Sequence, residues 1–501
     1  MTLHPTPRMA LVLVLVLLTL LPRVGWPSRA EAATLAFAVT SATDAPDATP
    51  GDGLCASTAG GACTLRAAVQ EANAQPLGSA VHVGLPAGHY LLTLGELDVI
   101  SSTVIISGAG AATTVVDAES HSRVLRVSAG STVGLGLLTL TGGATPARSS
   151  GGGLYNSGTL TITNSAIRGN TASGGGGLYN NGTLTITNSA IRGNTASDGG
   201  GLYNNGTLVI TNSAIRGNTS DGLYNKGILT IANSAIISNT TSFSGGGLAS
   251  EGGALAITNS VISGNTALEM GGGLFSSSAV AITNSVISSN TSAAGGGLDN
   301  GGGALAITNS AIISNTASLF GGGLFNNSLL TLTNSTVSGN AAAQGAGLYA
   351  SGGCCVFPTA VAIAYSTISN NTATTQGGGL DNASGLALVV VTGPSWRATR
   401  RQTVRARRRQ KGRATTWIAA SPVAWRSPRT SPPRTPCSAR WPTTVAPPQP
   451  WPCCLVVRLS TTAAPAPLAA RPPTSGGSGV PRGQPATSGP SSGRQGALLR
   501  T

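Results

Sequence analysis

The stretch "GGGLYNNGTLTITNSAIRGNTASDGGGLYNNGTLVITNSAIRGNTS", Gly175 to Ser220, states one phrase twice with almost no charge. Aligned on its Gly-Leu element, the phrase recurs at Leu154, Leu178, Leu202, Leu223, Leu248, Leu274, Leu298, Leu324, Leu348 and Leu380. The intervals are 21 to 26 residues, with one longer final step. A period of this length is the signature of a solenoid, in which each unit buries its apolar face only against its neighbours. Within one unit Leu184 and Ile186 alternate with Thr185 and Thr187, the period-2 pattern of a strand with one buried face. Asn188-Ser189 turns the chain, Ile191 begins a second strand, and Gly199 to Gly201 turn it again before Leu202. Each coil therefore reads as three short strands without a helix.

The pattern predicts an all-β fold, a right-handed parallel β-helix spanning 101–393, with strands paired to their copies ~4.8 Å above and below. The predicted core is a column of like residues, with Ile186, Ile210, Ile231, Ile257, Ile282, Ile307 and Leu332 in one stack. Ile191, Ile215, Ile236, Ile262, Ile287, Ile312 and Val337 form another, and β-branched side chains suit such a tight interior. Asn164, Asn188, Asn212, Asn233, Asn259, Asn284, Asn309 and Asn334 follow the Leu/Ile pair by two residues. Parity turns them inward, as a buried asparagine ladder. Leucine-rich repeats share the period but need LxxLxLxxN spacing. A calcium-binding β-roll needs a recurrent Asp that these coils lack.

Charged residues are 9% of the 501 and aromatics 4%, while Gly numbers 70. Arg8, the apolar run Met9 to Leu21 and Ala30-Glu31-Ala32 read as a signal peptide over 1–32, too short in its apolar part for the ~20 residues of a span. No later segment reads as transmembrane, so a secreted or cell-surface location is expected. The net charge of +14 is local: 18 of the 29 Lys and Arg and none of the 15 Asp and Glu lie between Pro394 and Thr501, leaving −4 before it. Basic-patch arguments for nucleic acid therefore do not apply to the body, and no nucleic-acid partner is expected. The tail 394–501 lacks the repeat phase and the apolar density to repay its ordering entropy, so it is expected to be disordered, with the ordered body ending at Gly393-Pro394.

Cys55 and Cys63 stand eight apart across a Gly-rich loop, the pattern of a small disulfide in an exported chain. Cys354 and Cys355 are adjacent in an irregular insert, and their role stays open; no His or second CxxC pair makes a metal site of the cysteines. In "CTLRAAVQEANA", Leu65, Ala68, Val69 and Ala72 at i, i+3, i+4, i+7 predict a short amphipathic helix. It belongs to an N-terminal cap, 33–100, that shields the first coil.

Asp52-Gly53-Leu54-Cys55 and Cys63-Thr64-Leu65-Arg66-Ala67-Ala68 to Asn73 resemble the CSLREA-type module of exported bacterial proteins that continue into a right-handed parallel β-helix. Thr64 stands in place of Ser and Ala67 in place of Glu. The coil phrase is also similar to polymorphic outer-membrane protein repeats and, more distantly, to pectate-lyase-like solenoids. The resemblance implies an extracellular or surface-displayed protein with no single activity. It also implies a C-terminal anchoring tail with "LADNGGPT", and Arg440 to Arg458 becomes compatible with that tail when its codons are read two bases later. The tail therefore reads as a frameshift product.

No catalytic constellation stands out. Asp198, Asp221, Glu251, Glu269, Asp299 and Asp381 fall at different phases of the repeat; only Asp299 and Asp381 share one. His82, His89 and His121 lie outside the coil phrase with no nucleophile pattern beside them. No cofactor and no metal are called for. Two outward stripes are the candidate binding residues. Arg168, Arg192 and Arg216 repeat on consecutive coils, where like charges favour an anionic partner. Tyr155, Tyr179, Tyr203 and Tyr224 follow the aligned Leu, their rings free to stack on one another or on sugars. The expected function is a structural or adhesive β-solenoid binding an extracellular or cell-surface polysaccharide without catalysis. The alternative is a pectate-lyase-like polysaccharide-active enzyme. Ligand identity, the anchoring route and the oligomeric state stay open.

Overall fold

The repeat folds as its period requires. The computed structural model describes residues 34–76, 79–100, 103–351, 359–383, 388–392, 405–406 and 419–420. All belong to the unit Met1–Trp425; the unit Arg426–Thr501 lies outside them. The expected signal peptide, Cys354, Cys355 and nearly all of the tail are likewise outside the described residues.

The chain is a right-handed parallel β-helix. One coil runs through Leu178–Asn180, Thr183–Thr187 and Ala190–Arg192, and each strand pairs in parallel with its copy one coil on. Tyr179 lies beside Tyr203, Ile186 beside Ile210 and Arg192 beside Arg216. The three strand types build sheets of 13, 15 and 12 strands, called here the tyrosine, threonine and arginine faces after their outward residues. Inward Leu178, Leu184, Ile186 and Ile191 and their equivalents from Leu154 to Leu380 are at most 6% exposed in coil after coil. Burying each contributes about 1.5–3 kcal/mol relative to exposure, which offsets the entropy of ordering so Gly-rich a chain.

One feature departs from the expected three strands per coil. From Thr240–Thr241 to Thr372–Gln376 the return segment straightens into a fourth, six-stranded sheet. There Ala317, Ala342 and Ala346 close a second small core. In the N-terminal module Thr34–Ala38 pairs with Ala80–Gly84 in the threonine-face sheet, and Leu65, Ala68, Val69 and Ala72 join the core cluster with Val81 and Val83. Beyond Gly393 the described residues are Arg405–Ala406 and Ala419–Ala420, each paired in parallel over two residues.

The helix Leu65–Ala74 forms as predicted, with the Thr64 hydroxyl accepting from the Ala67 N–H as N-cap. Cys55 and Cys63 are disulfide-bonded, with Cα atoms 4.9 Å apart. Arg66 makes a two-point ion pair with Asp44 at 2.6 and 3.1 Å. Fully buried Glu71 accepts from the N–H groups of Gly51 and Gly53, so the module's loop is held by a carboxylate one turn beyond Ala67.

The asparagine ladder exists, but on other asparagines. Asn164, Asn188, Asn212, Asn233, Asn259, Asn284, Asn309 and Asn334 are exposed, at φ of 48 to 50°. One left-handed residue breaks strand alternation, so the following serine takes the inward place. Ser189 Oγ donates to the Thr187 carbonyl and accepts the Ser165 N–H, stitching the corners together. The buried amides are those of the neighbouring corners. Asn156, Asn180, Asn204 and Asn225 bond in series at 2.7–2.8 Å. Asn170, Asn194, Asn218, Asn239, Asn265, Asn290, Asn315, Asn340 and Asn371 do so at 2.9–3.1 Å.

Candidate functional site

The corner that expels Asn188 also builds a groove on the surface. Residues 188–192 run Asn, Ser, Ala, Ile, Arg, so each coil presents an amide, then a small methyl, then a guanidinium on the arginine face. Stacked in register, Asn164, Asn188, Asn212, Asn233 and Asn259 form one wall, Ala166, Ala190, Ala214 and Ala235 the floor, and Arg168, Arg192 and Arg216 the other wall. The groove holds about 1060 Å³ and runs from Ala111, Ala112 and Thr139 to Val261. The five inter-strand steps from Thr139 to Val261 account for ~24 Å of its length. Isoleucine and serine replace Arg beyond Arg216, which limits the cationic wall to three rungs. Among the described residues none of these arginines has an ion-pair partner.

The tyrosines occupy a different face, with the threonine-face sheet between them and the arginines. They stack on one another: centroids lie 5.3, 4.8 and 4.9 Å apart, with interplanar angles of 0, 16 and 28°. The guanidinium of Arg123 lies over the Tyr155 ring at one end of the column, and Lys226 Nζ over Tyr224 at the other, each 5.3 Å from the centroid. The ring faces are thus taken by neighbours, leaving edges and hydroxyls outward. Burial, then the neighbouring Tyr203 and Tyr155, pushes the Tyr179 phenol up. Burial and a hydrogen bond to Glu251 push Tyr224 up, and a hydrogen bond to Tyr203 raises Lys226.

Acidic residues separated in sequence phase converge beside Tyr224. Where the period shortens to 21 residues, Asp221 stands at the middle glycine of the corner triplet, equivalent to Gly200. It is 4% exposed, its Oδ2 accepts the Gly199 N–H at 3.5 Å, and its Oδ1 has no hydrogen-bond partner. Burial pushes this carboxyl up to about 7, with Asp198 and Glu251 near enough to add to the shift. The interrupted period is the sequence signal for this cluster. Asp299 and Asp381, both buried, lie two or more coils away.

Among the described residues no group of three or more His, Cys, Asp or Glu is arranged to hold a metal ion. His89 pairs with Asp117 at 3.0 Å on the exterior, and His82 and His121 are exposed. Among the described residues no helix is long and apolar enough to cross a membrane.

No protein-family model matches the chain, and no curated protein does. Solved structures similar to it include the catalytic unit of the GH87 α-1,3-glucanase of Streptomyces thermodiastaticus: TM-score 0.47, 17% identity, 72% of this chain and 68% of that one. The A-module of Azotobacter vinelandii mannuronan C-5 epimerase AlgE4 has TM-score 0.39 and 18% identity, over 69% of this chain and 92% of its own. Pectate lyase Pel9A has TM-score 0.29 and 15% identity, over 63% and 73%. These neighbours are polysaccharide-active enzymes.

Proposed function

We propose that the protein engages a linear acidic polysaccharide along the arginine face, as a secreted or cell-surface β-helix. The observation that carries this reading is the groove itself, with three unpaired guanidinium groups facing a row of amides across an alanine floor. Guanidinium groups recognise carboxylates through paired N–H donors, and amides supply both donors and acceptors for sugar hydroxyls. The residues 1–32 and the Cys55–Cys63 bridge support export to an oxidising compartment, and the CSLREA-type resemblance supports surface display. The test is retention of the full chain on immobilised polygalacturonate against a neutral glucan. Replacing Arg168, Arg192 and Arg216 by Gln should abolish the difference; equal retention of parent and triple variant would overturn the reading.

A second reading, a polysaccharide-active enzyme, is favoured by the Asp198, Asp221 and Glu251 cluster. A carboxyl held protonated near neutral pH beside more exposed carboxylates is the pairing that acid–base chemistry on glycosidic bonds uses. Incubation with acidic and neutral polysaccharides, with and without calcium, should then release reducing ends or near-ultraviolet-absorbing unsaturated products. Both should be lost in Asp221→Asn. No product from any polymer would sink this second reading and leave binding alone.

A further inference from the structure

We propose that Asp299, with the rings of Phe275 and Phe325 on the flanking rungs, forms a site for an organic ammonium ion that carries at least one N–H. The site lies on the tyrosine face and does not rest on the groove reading. In register, Phe275, Asp299 and Phe325 occupy consecutive rungs of one outward column. In the lower part of that column every rung from Tyr155 to Tyr224 carries a ring. Here a carboxyl replaces the middle ring, so the aromatic residues on either side stand two rungs, ~10 Å, apart. Phe325 stacks on Tyr349 at 5.3 Å and 7°, which leaves its opposite face toward the Asp299 rung. Phe320 packs on the far side of Phe325, with its centroid 4.8 Å from Tyr349 and 6.3 Å from Phe325.

Asp299 is 1% exposed, and neither carboxyl oxygen has a hydrogen-bond partner. A buried, unpaired carboxylate is costly unless a cation or donor meets it. Among the described residues none comes from the chain around it. The segments 274–276, 293–297, 318–321 and 324–326 contain no ionisable residue, and the carboxylate of Glu269 accepts from the Ser244 hydroxyl instead. Burial alone holds the carboxyl up at about 8, with no charged neighbour contributing. An alkylammonium ion supplies what is missing: N–H donors for the two oxygens, and a positive charge for ring faces to attract. Gly301 lies against both the carboxyl and the Phe275 ring. A Cβ there would sit 3.4 Å from the Phe275 ring and 3.6 Å from Asp299 Oδ1, so the half-exposed Phe275 ring covers the carboxyl and is the part that must swing.

The experiment titrates the full chain with methylammonium chloride against sodium chloride of equal ionic strength, read by calorimetry and thermal melting. Saturable heat and a rise in melting temperature specific to methylammonium are expected, with tetramethylammonium weaker. Because binding displaces the carboxyl proton, affinity should rise about tenfold per pH unit below about pH 8. Asp299→Asn should bind at least tenfold more weakly with an unchanged circular dichroism spectrum. If that variant does not fold, Phe275→Leu keeps the apolar cover without the ring and should weaken binding severalfold. A methylammonium response no greater than that of sodium, or one equal in parent and variant, would overturn the proposal.

Discussion

Asn194 Nδ2 donates to Asn218 Oδ1 at 3.1 Å, one coil away, and both residues are within 2% of complete burial. The Asn194 Nδ2 also reaches the Ile167 carbonyl, and its Oδ1 takes both the backbone and the side-chain N–H of Asn170. One side chain thus satisfies polar groups on three coils.

Replacing Asn194 by Leu strands several of those groups, each costing about 1–3 kcal/mol, so a loss of at least ~3 kcal/mol is expected. Asn188 sits one corner earlier, exposed in the left-handed region, so Asn188→Gly should change stability by only a few tenths and Asn188→Ala should cost ~1 kcal/mol. Equal denaturant midpoints for N194L and N188G would contradict the assignment of the buried ladder.

Arg192 lies in register between Arg168 and Arg216. Arg192→Glu turns two like-charge neighbours into opposite-charge pairs, each about 0.2–1 kcal/mol more favourable, so the free protein should melt slightly higher. The same change should weaken retention on polygalacturonate. A variant that melts lower while binding as the parent does would show that the arginine wall has no ligand.

Tyr203 stacks between Tyr179 and Tyr224. Its replacement by Ala removes both contacts at about 0.5–1.5 kcal/mol each, and the resulting drop in melting temperature should come without any change in polysaccharide retention. Reduced retention at full stability would instead make the ring a ligand contact.

The carboxyls of Asp221 and Asp299 are raised by burial to about 7 and about 8, well above the ordinary 3.8. The folded state then holds protons that the unfolded chain releases, so their contribution is full below about pH 4 and is lost as pH rises through the folded values. Within that window each group contributes a slope of up to about 1.4 kcal/mol per pH unit. Chemical denaturation between pH 5 and 9 should show stability falling with pH, and Asp299→Asn with Asp221→Asn should flatten the curve. An unchanged slope would mean that neither carboxyl is held neutral.

The repeat by itself determined the solenoid, its rungs, the Leu and Ile columns and the register of the tyrosine and arginine stripes. Each follows from strand alternation and from a period that stacks like on like. What lay beyond the sequence sits at the corners. Parity holds only through extended backbone, so one left-handed residue at Asn188 turned that amide outward and left the ladder to Asn180 and Asn194. Tertiary structure alone decided that tyrosines and arginines occupy different faces, because the face a stripe occupies depends on how sharply each corner bends the chain. It also gathered Asp198, Asp221 and Glu251 at the shortened coil and sealed Asp299 among phenylalanines, since contacts between coils are set by stacking distance and not by position in the phrase.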